Sequence, residues 1–271
     1  MVAAQLPGVG ESDHPNSWST ILWQLRLPRV TLALIVGGGL AMAGAAYQGL
    51  FKNPLADPYL VGVASGSGLA ATIVLLTGVP LYFAGIGILP IAAFCGGIAA
   101  VAVAYSVARS AHGTPLTTLI LAGVAISALA ASATSLLMIR SDPDLRPVLS
   151  WLMGSFIAAE WSDSLVMLLY LGPSVIVLLG FARILNVVQL SEEHASMLGV
   201  DVERVKIALI VAATLATASA VSFSGLIGFV GLVAPHVVRI LWGVDYRFLL
   251  PMSGLIGATF LVIADWSPGQ L

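Results

Sequence analysis

Residues 58–108, 110–139, 164–182 and 207–238 contain no Asp, Glu, Lys or Arg. A helix that crosses a bilayer needs about 20 mostly apolar residues, so these runs provide for several crossings and leave little sequence for a soluble domain. Only 9% of the 271 residues are charged and 59% are hydrophobic, whereas soluble domains carry about 25% charged residues. The expected fold is an all-α polytopic membrane protein. A net charge of −2, with the eleven Lys and Arg residues scattered, offers no phosphate-binding stripe and excludes nucleic acid as a partner. Cys95 is the single cysteine, so no intramolecular disulfide can form and a zinc site lacks its usual ligands. Residues 1–20 hold no Lys or Arg and no apolar core, and do not read as a signal peptide.

Eight spans are predicted: 30–51, 60–79, 84–108, 115–138, 163–182, 205–224, 226–242 and 248–265, with an amphipathic segment at 147–159. Between the first two, "FKNPLADPYLVG" carries Lys52 and Asp57 beside Pro54 and Pro58. Proline removes an amide donor and restricts the residue before it, so the helix cannot continue there. Placing this turn in the cytoplasm and alternating puts seven Lys and Arg inside and four outside, the orientation that the positive-inside rule favours. Stretches such as "GGGLAMAGAA" (37–46) and "GVASGSG" (62–68) read as surfaces for close helix packing, with Gly62 and Gly66 on one helical face.

No GxxxxGK[ST] motif occurs, so any ATP must be bound by another chain. The glycines of "SGLIGFVGLVAPH" follow no strand and precede no suitably spaced acid, which points to a helix reversal inside the bundle. His236 is the best mid-span ionisable candidate, with Glu160, Asp163 and Asp265 near span ends. Spans this bare argue against a proton-coupled carrier or an intramembrane enzyme. The polar stretch "LSEEHASMLGVDVERVK" (190–206) is predicted to form two short cytoplasmic helices around Gly199: Ser191 caps the first, Glu192 and Glu193 suit its positive end, and Ala195 and Leu198 share a face. It is either a solvated loop or a knob for a groove on a soluble partner. Arg26 and Arg29 in "WQLRLPRV" can anchor the interface or capture carboxylates.

Taken together, "LRLPR", "GLFKNPLADPYLVGVASGSGLAA", "LILAGVAIS", "LSEEHASMLGVDVERVK", "GLIGFVGLVAPHVVRI" and "DYRFLLPMSGLIGATFLVIAD" resemble, in order and spacing, the FecCD family of ABC permeases, the membrane subunits of bacterial importers for iron siderophores, haem and cobalamin. The resemblance implies a type II ABC importer bundle with about eight transmembrane helices here against ten in the family. It implies a multi-pass inner-membrane subunit working as a homodimer with two ABC ATPase subunits and a periplasmic substrate-binding protein, in the lipid bilayer. No cofactor is bound directly; ATP and Mg sit on the partner ATPase, and this chain is not itself an enzyme. Arg26 and Arg29 become docking residues for the binding protein. Ser191, Glu192, Glu193, His194, Ala195, Leu198 and Gly199 become the ATPase-coupling segment, and Leu116 and Thr117 the cytoplasmic gate.

The expected organisation is a polar tail at 1–22, a permease domain at 23–265 containing the coupling loop 190–206, and a truncated tail at 266–271. Residues 1–25 are too polar and short to supply the family's first helix, and the family's last helix would follow "WSPGQL". The expected function is import of an iron-siderophore-type chelate. Haem or cobalamin import, or a non-transporting remnant, are the alternatives.

Overall fold

The computed structural model describes residues 19–79, 82–83, 86–109, 114–140, 145–190 and 192–266. Among the described residues six helices are long and apolar enough to cross a membrane: α1 (Ile21–Leu50), α3 (Ile88–Ala108), α4 (Leu116–Arg140), α6 (Trp161–Gly180), α9 (Val202–Ser224) and α11 (Tyr246–Asp265). Two more are apolar but shorter, α2 (Val63–Thr77) and α10 (Val230–Trp242). The remaining helices are α5 (Arg146–Met153), α7 (Ala182–Leu190) and α8 (Glu192–Met197). Two-residue strands β1 (Tyr82–Phe83) and β2 (Ile86–Gly87) pair antiparallel ahead of α3.

Four boundaries differ from the sequence expectation. The first span begins well before residue 30, because Pro28 does not end it: the helix enters through a wide turn at Ile21–Arg26, in which Leu27 N–H reaches back to the Leu22 carbonyl. A π-type turn satisfies the backbone around a proline without breaking the helix. Gly62 does not share a helical face with Gly66; with φ +97 it is the left-handed joint between a 3-10 turn at Pro58–Val61 and α2. The amphipathic segment is helical only to Met153, since Gly154 is at φ +73. After α6 the chain turns at Phe181 and runs helical again to Leu190, a stretch to which the sequence reading assigned no element.

α1 is the central helix and is buried along most of its length from Pro28 to Leu50. It packs on α11, α9 and α10. Its small-residue stripe explains how: Gly37 faces the Gly257 backbone, Gly39 takes the Leu171 side chain, Gly44 faces the Gly231 backbone and Gly49 takes the Tyr246 ring. Lipid offers little drive for apolar surfaces to associate, so close backbone approach supplies the adhesion through dispersion. Gly66 and Gly96 do the same between α2 and α3.

The charges of the first turn have local work. Asp57 accepts from Tyr59 N–H at 2.8 Å and so caps the 3-10 turn, and Asn53 Oδ1 accepts from Leu55 N–H. Burial raises the Asp57 pKa and the Tyr59 bond opposes that rise. Lys52 is exposed and takes the left-handed position that ends α1. Glu160 and Asp163 form a reciprocal capping box at the start of α6.

At the opposite end, Arg29 donates from Nε and Nη2 to both carboxylate oxygens of Asp265 at 2.6 and 2.8 Å. Asp265 ends α11, where its negative charge opposes the helix dipole unless a cation compensates. Arg29→Met is expected to cost about 2 kcal/mol by stranding that carboxylate. The check is thermal unfolding of purified protein in detergent: Arg29→Met should melt lower than wild type, and the swapped Arg29→Asp/Asp265→Arg pair should recover part of the loss.

Candidate functional site

The end of the bundle that carries residues 190–206 holds a continuous polar network. α7 is its base. Asn186 Nδ2 donates to Asp245 Oδ1 at 2.7 Å, while Asn186 Oδ1 accepts from Tyr246 N–H at 3.0 Å. Asp245 also accepts from Arg247 N–H at 2.9 Å, capping α11. The bonds from Arg247 N–H and Asn186 hold the Asp245 carboxyl below its usual range. Gln189 Nε2 donates to the Gly49 carbonyl at 2.6 Å. One short helix thereby grips the end of α1 and the start of α11.

Directly after α7 comes the polar segment. Ser191 lies outside the described residues. Glu192, Glu193 and His194 are in α8. Ala195 is buried, whereas Met197 and Leu198 are 81% and 71% exposed. Ala195 and Leu198, three apart, thus differ in burial: the first turns into the bundle and the second stands at the exposed end of the turn. Gly199, at φ +81, makes the chain reversal. Its N–H bonds the Ser196 carbonyl, and Val200 N–H bonds the Ala195 carbonyl, the paired bonds of a Schellman stop. The second helix starts at Asp201, which accepts from Arg204 N–H at 3.1 Å and pairs with its guanidinium.

Glu203, in the first turn of α9, accepts from Thr114 N–H at 3.0 Å. Thr114 is buried and its hydroxyl donates to Tyr105 Oη. Two residues on, Leu116 begins α4 and is partly buried against the core, while Thr117 is exposed. The polar segment thus reaches the Leu116–Thr117 pair through one charged hydrogen bond. The sequence reading singled out neither Glu203 nor Asn186 and Gln189. An acid in a first helical turn signals only a favourable end charge, and nothing local announces a partner 89 positions away.

Arg26 and Arg29 sit at the opposite end but do not act as a pair. Arg26 is exposed, with no ion-pair partner among the described residues, and Arg29 is committed to Asp265. His236 is exposed on α10. Among the described residues no group of His, Cys, Asp or Glu could hold a metal ion. The exposed reversal at Gly199 is thus flanked by helices bonded to α1, to α11 and to Thr114 just ahead of α4.

Residues 6–268 match the family model described as the FecCD transport family. The chain is 44% identical over 252 residues to the cobalamin import system permease protein BtuC of Halobacterium salinarum, covering 93% of this chain and 67% of that protein. It is 42% identical over 261 residues to the hemin transport system permease protein HmuU of Yersinia pestis, covering 94% and 76%. Among solved structures, an inward-facing conformation of a metal-chelate type ABC transporter superposes with TM-score 0.84 at 34% identity, covering 95% of this chain and 83% of that one.

Proposed function

The chain belongs to the FecCD transport family and is a permease subunit of an ABC importer, and we propose that its cargo is an iron-siderophore-type chelate carried across the inner membrane. The reading is supported by the metal-chelate class of the similar solved structure and by the hemin permease relative. The spans also fit: they are nearly free of ionisable groups, as suits a wide conduit that binds a bulky chelate weakly. A second reading, cobalamin import, is favoured by the 44% identical permease of that name.

In this reading two ABC ATPase subunits bind ATP and Mg and press on residues 191–199, a second copy of the chain completes the passage, and a substrate-binding protein docks near exposed Arg26. Closure of the ATPases displaces α8. Gln189, Asn186 and Glu203 carry that displacement to α1, α11 and the Leu116–Thr117 gate. The observation that carries the mechanism is that the helices on either side of the exposed reversal are hydrogen-bonded to α1, to α11 and to Thr114 ahead of α4.

Gly199→Pro tests it. Proline fixes φ near −65°, and the reversal needs φ +81, so the variant cannot form the stop after α8. In complexes reconstituted with the ATPase and binding protein encoded beside it, ferric siderophore should stimulate ATP hydrolysis by wild type and by Gly199→Asn, since asparagine tolerates the left-handed region. Gly199→Pro should fall to the rate of the ATPase alone. Stimulation retained by Gly199→Pro would remove the coupling role from this segment.

A further inference from the structure

We propose that the unwound segment 225–229 lines a water-filled chamber at mid-depth in the bundle, with Phe229 projecting into it as an apolar contact for passing cargo. The cargo clause rests on the transport reading above; the chamber does not.

Depth follows from the helix contacts. Tyr47 Oη lies 2.8 Å from Thr214 Oγ1, which places Thr214 level with Tyr47 of the antiparallel α1. Ten further residues of α9 rise about 15 Å to Ser224, level with about Gly37, near the middle of the Ile21–Leu50 helix. The adjoining helix agrees: a Cβ on Gly231, two residues past Phe229, would meet the Leu40 carbonyl of α1.

At this depth the chain abandons helix. Gly225, at φ +70, lies against Gly154 and the Trp151 carbonyl. Tyr59 holds the next turn from both sides, its hydroxyl donating to the Ile227 carbonyl at 2.8 Å and accepting from Ile227 N–H at 3.2 Å. Gly228 and Phe229 then emerge exposed, and their N–H groups have no acceptor among the described residues. Unpaired amides cannot face hydrocarbon; non-helical backbone at this depth must meet protein or line water. Among the described residues nothing stands within 4 Å of where a Gly228 side chain would begin, which leaves room for water to meet the requirement.

Phe229 is the second observation. It holds φ +68, which a bulky residue adopts only at a cost that the surroundings impose, and its ring is 73% exposed. Two residues earlier, the Tyr59 hydroxyl fixes the Ile227 backbone from which this ring projects. Ile157, on the adjoining unwound segment, is 72% exposed. An apolar, aromatic wall beside free amides suits a large chelate with mixed surface, held loosely enough to leave.

The test uses the complete complex in lipid nanodiscs, without ATP or cargo, in a Cys95→Ser background. Phe229→Cys and, separately, Ile157→Cys are treated with a cationic, membrane-impermeant methanethiosulfonate and compared with Leu169→Cys, which is 70% exposed on helical α6. The reagent needs a thiolate, which forms in water and is suppressed in lipid, so both unwound sites should react at least about tenfold faster than Leu169→Cys. Thiol content after denaturation in detergent normalises each rate. If Phe229→Cys does not assemble, Ile157→Cys decides alone. Rates no faster than the helical control would overturn the chamber and mean that lipid or another protein surface covers this break. Fast labelling in a complex whose ATPase ignores siderophore would keep the chamber and discard the transport reading; the reverse pattern would do the opposite.

Discussion

Gly44→Ala should prevent the bundle from assembling. A Cβ at residue 44 falls inside the contact distance of the Gly231 carbonyl, carbonyl carbon and Cα, and backbone atoms cannot rotate aside as a side-chain tip can. α1 and α10 must separate, and the separation extends to Pro58, which packs on Gly231, and to the Gln48 amide, which reaches the Leu232 carbonyl. A cost above about 4 kcal/mol is expected, enough to remove monodisperse protein from a detergent extract. Gly180→Ala is the control. Gly180 is the last residue of α6 and, among the described residues and its chain neighbours aside, has nothing within 4 Å of its potential Cβ, so alanine there should be neutral or stabilise by up to about 0.5–1 kcal/mol through helix propensity. Fluorescence-detected gel filtration with a melting curve compares the two. Equal behaviour would mean that small residues on α1 are compositional rather than structural.

The second large effect concerns Glu203. Its carboxylate is the acceptor for the N–H of buried Thr114, two residues before Leu116. Glu203→Leu leaves that donor unsatisfied, a loss of about 1.5–3 kcal/mol, or roughly ten- to a hundredfold in any equilibrium that depends on the bond. Because Glu203 lies beyond the exposed reversal, binding of the ATPase should survive. The expected result is ATP hydrolysis within about twofold of wild type and cargo uptake into proteoliposomes reduced at least about tenfold. Glu203→Gln keeps an acceptor oxygen and should retain most uptake. Parallel loss of hydrolysis and uptake in Glu203→Leu would place the residue in general stability instead of in transmission.

These two sites differ in how they could be foreseen. Gly44 belongs to a small-residue stripe that the sequence displays openly, and its packing role follows from what lipid allows. Glu203 is an ordinary first-turn acid. Arg29 shows the same divide from the other side: as one of two arginines three apart it looks like half of a docking pair, yet it closes on Asp265 at the far end of the chain, leaving Arg26 exposed.

The sequence by itself determined the fold class and family, because charge-free runs of span length, proline-marked turns and an ordered set of motifs each express a local free energy of transfer or of backbone restriction. It also placed the polar reversal at Gly199, since a left-handed stop is a property of a few adjacent residues. Only the tertiary structure decided that α7 is helical and grips two spans, that Ala195 is buried while Leu198 is not, and that Phe229 stands exposed beside a turn that Tyr59 holds. Each of these depends on a partner tens to hundreds of residues away, and a hydrogen bond or a glycine contact acts only across a few ångströms, so its existence is fixed when the helices meet and leaves no periodic trace in the chain.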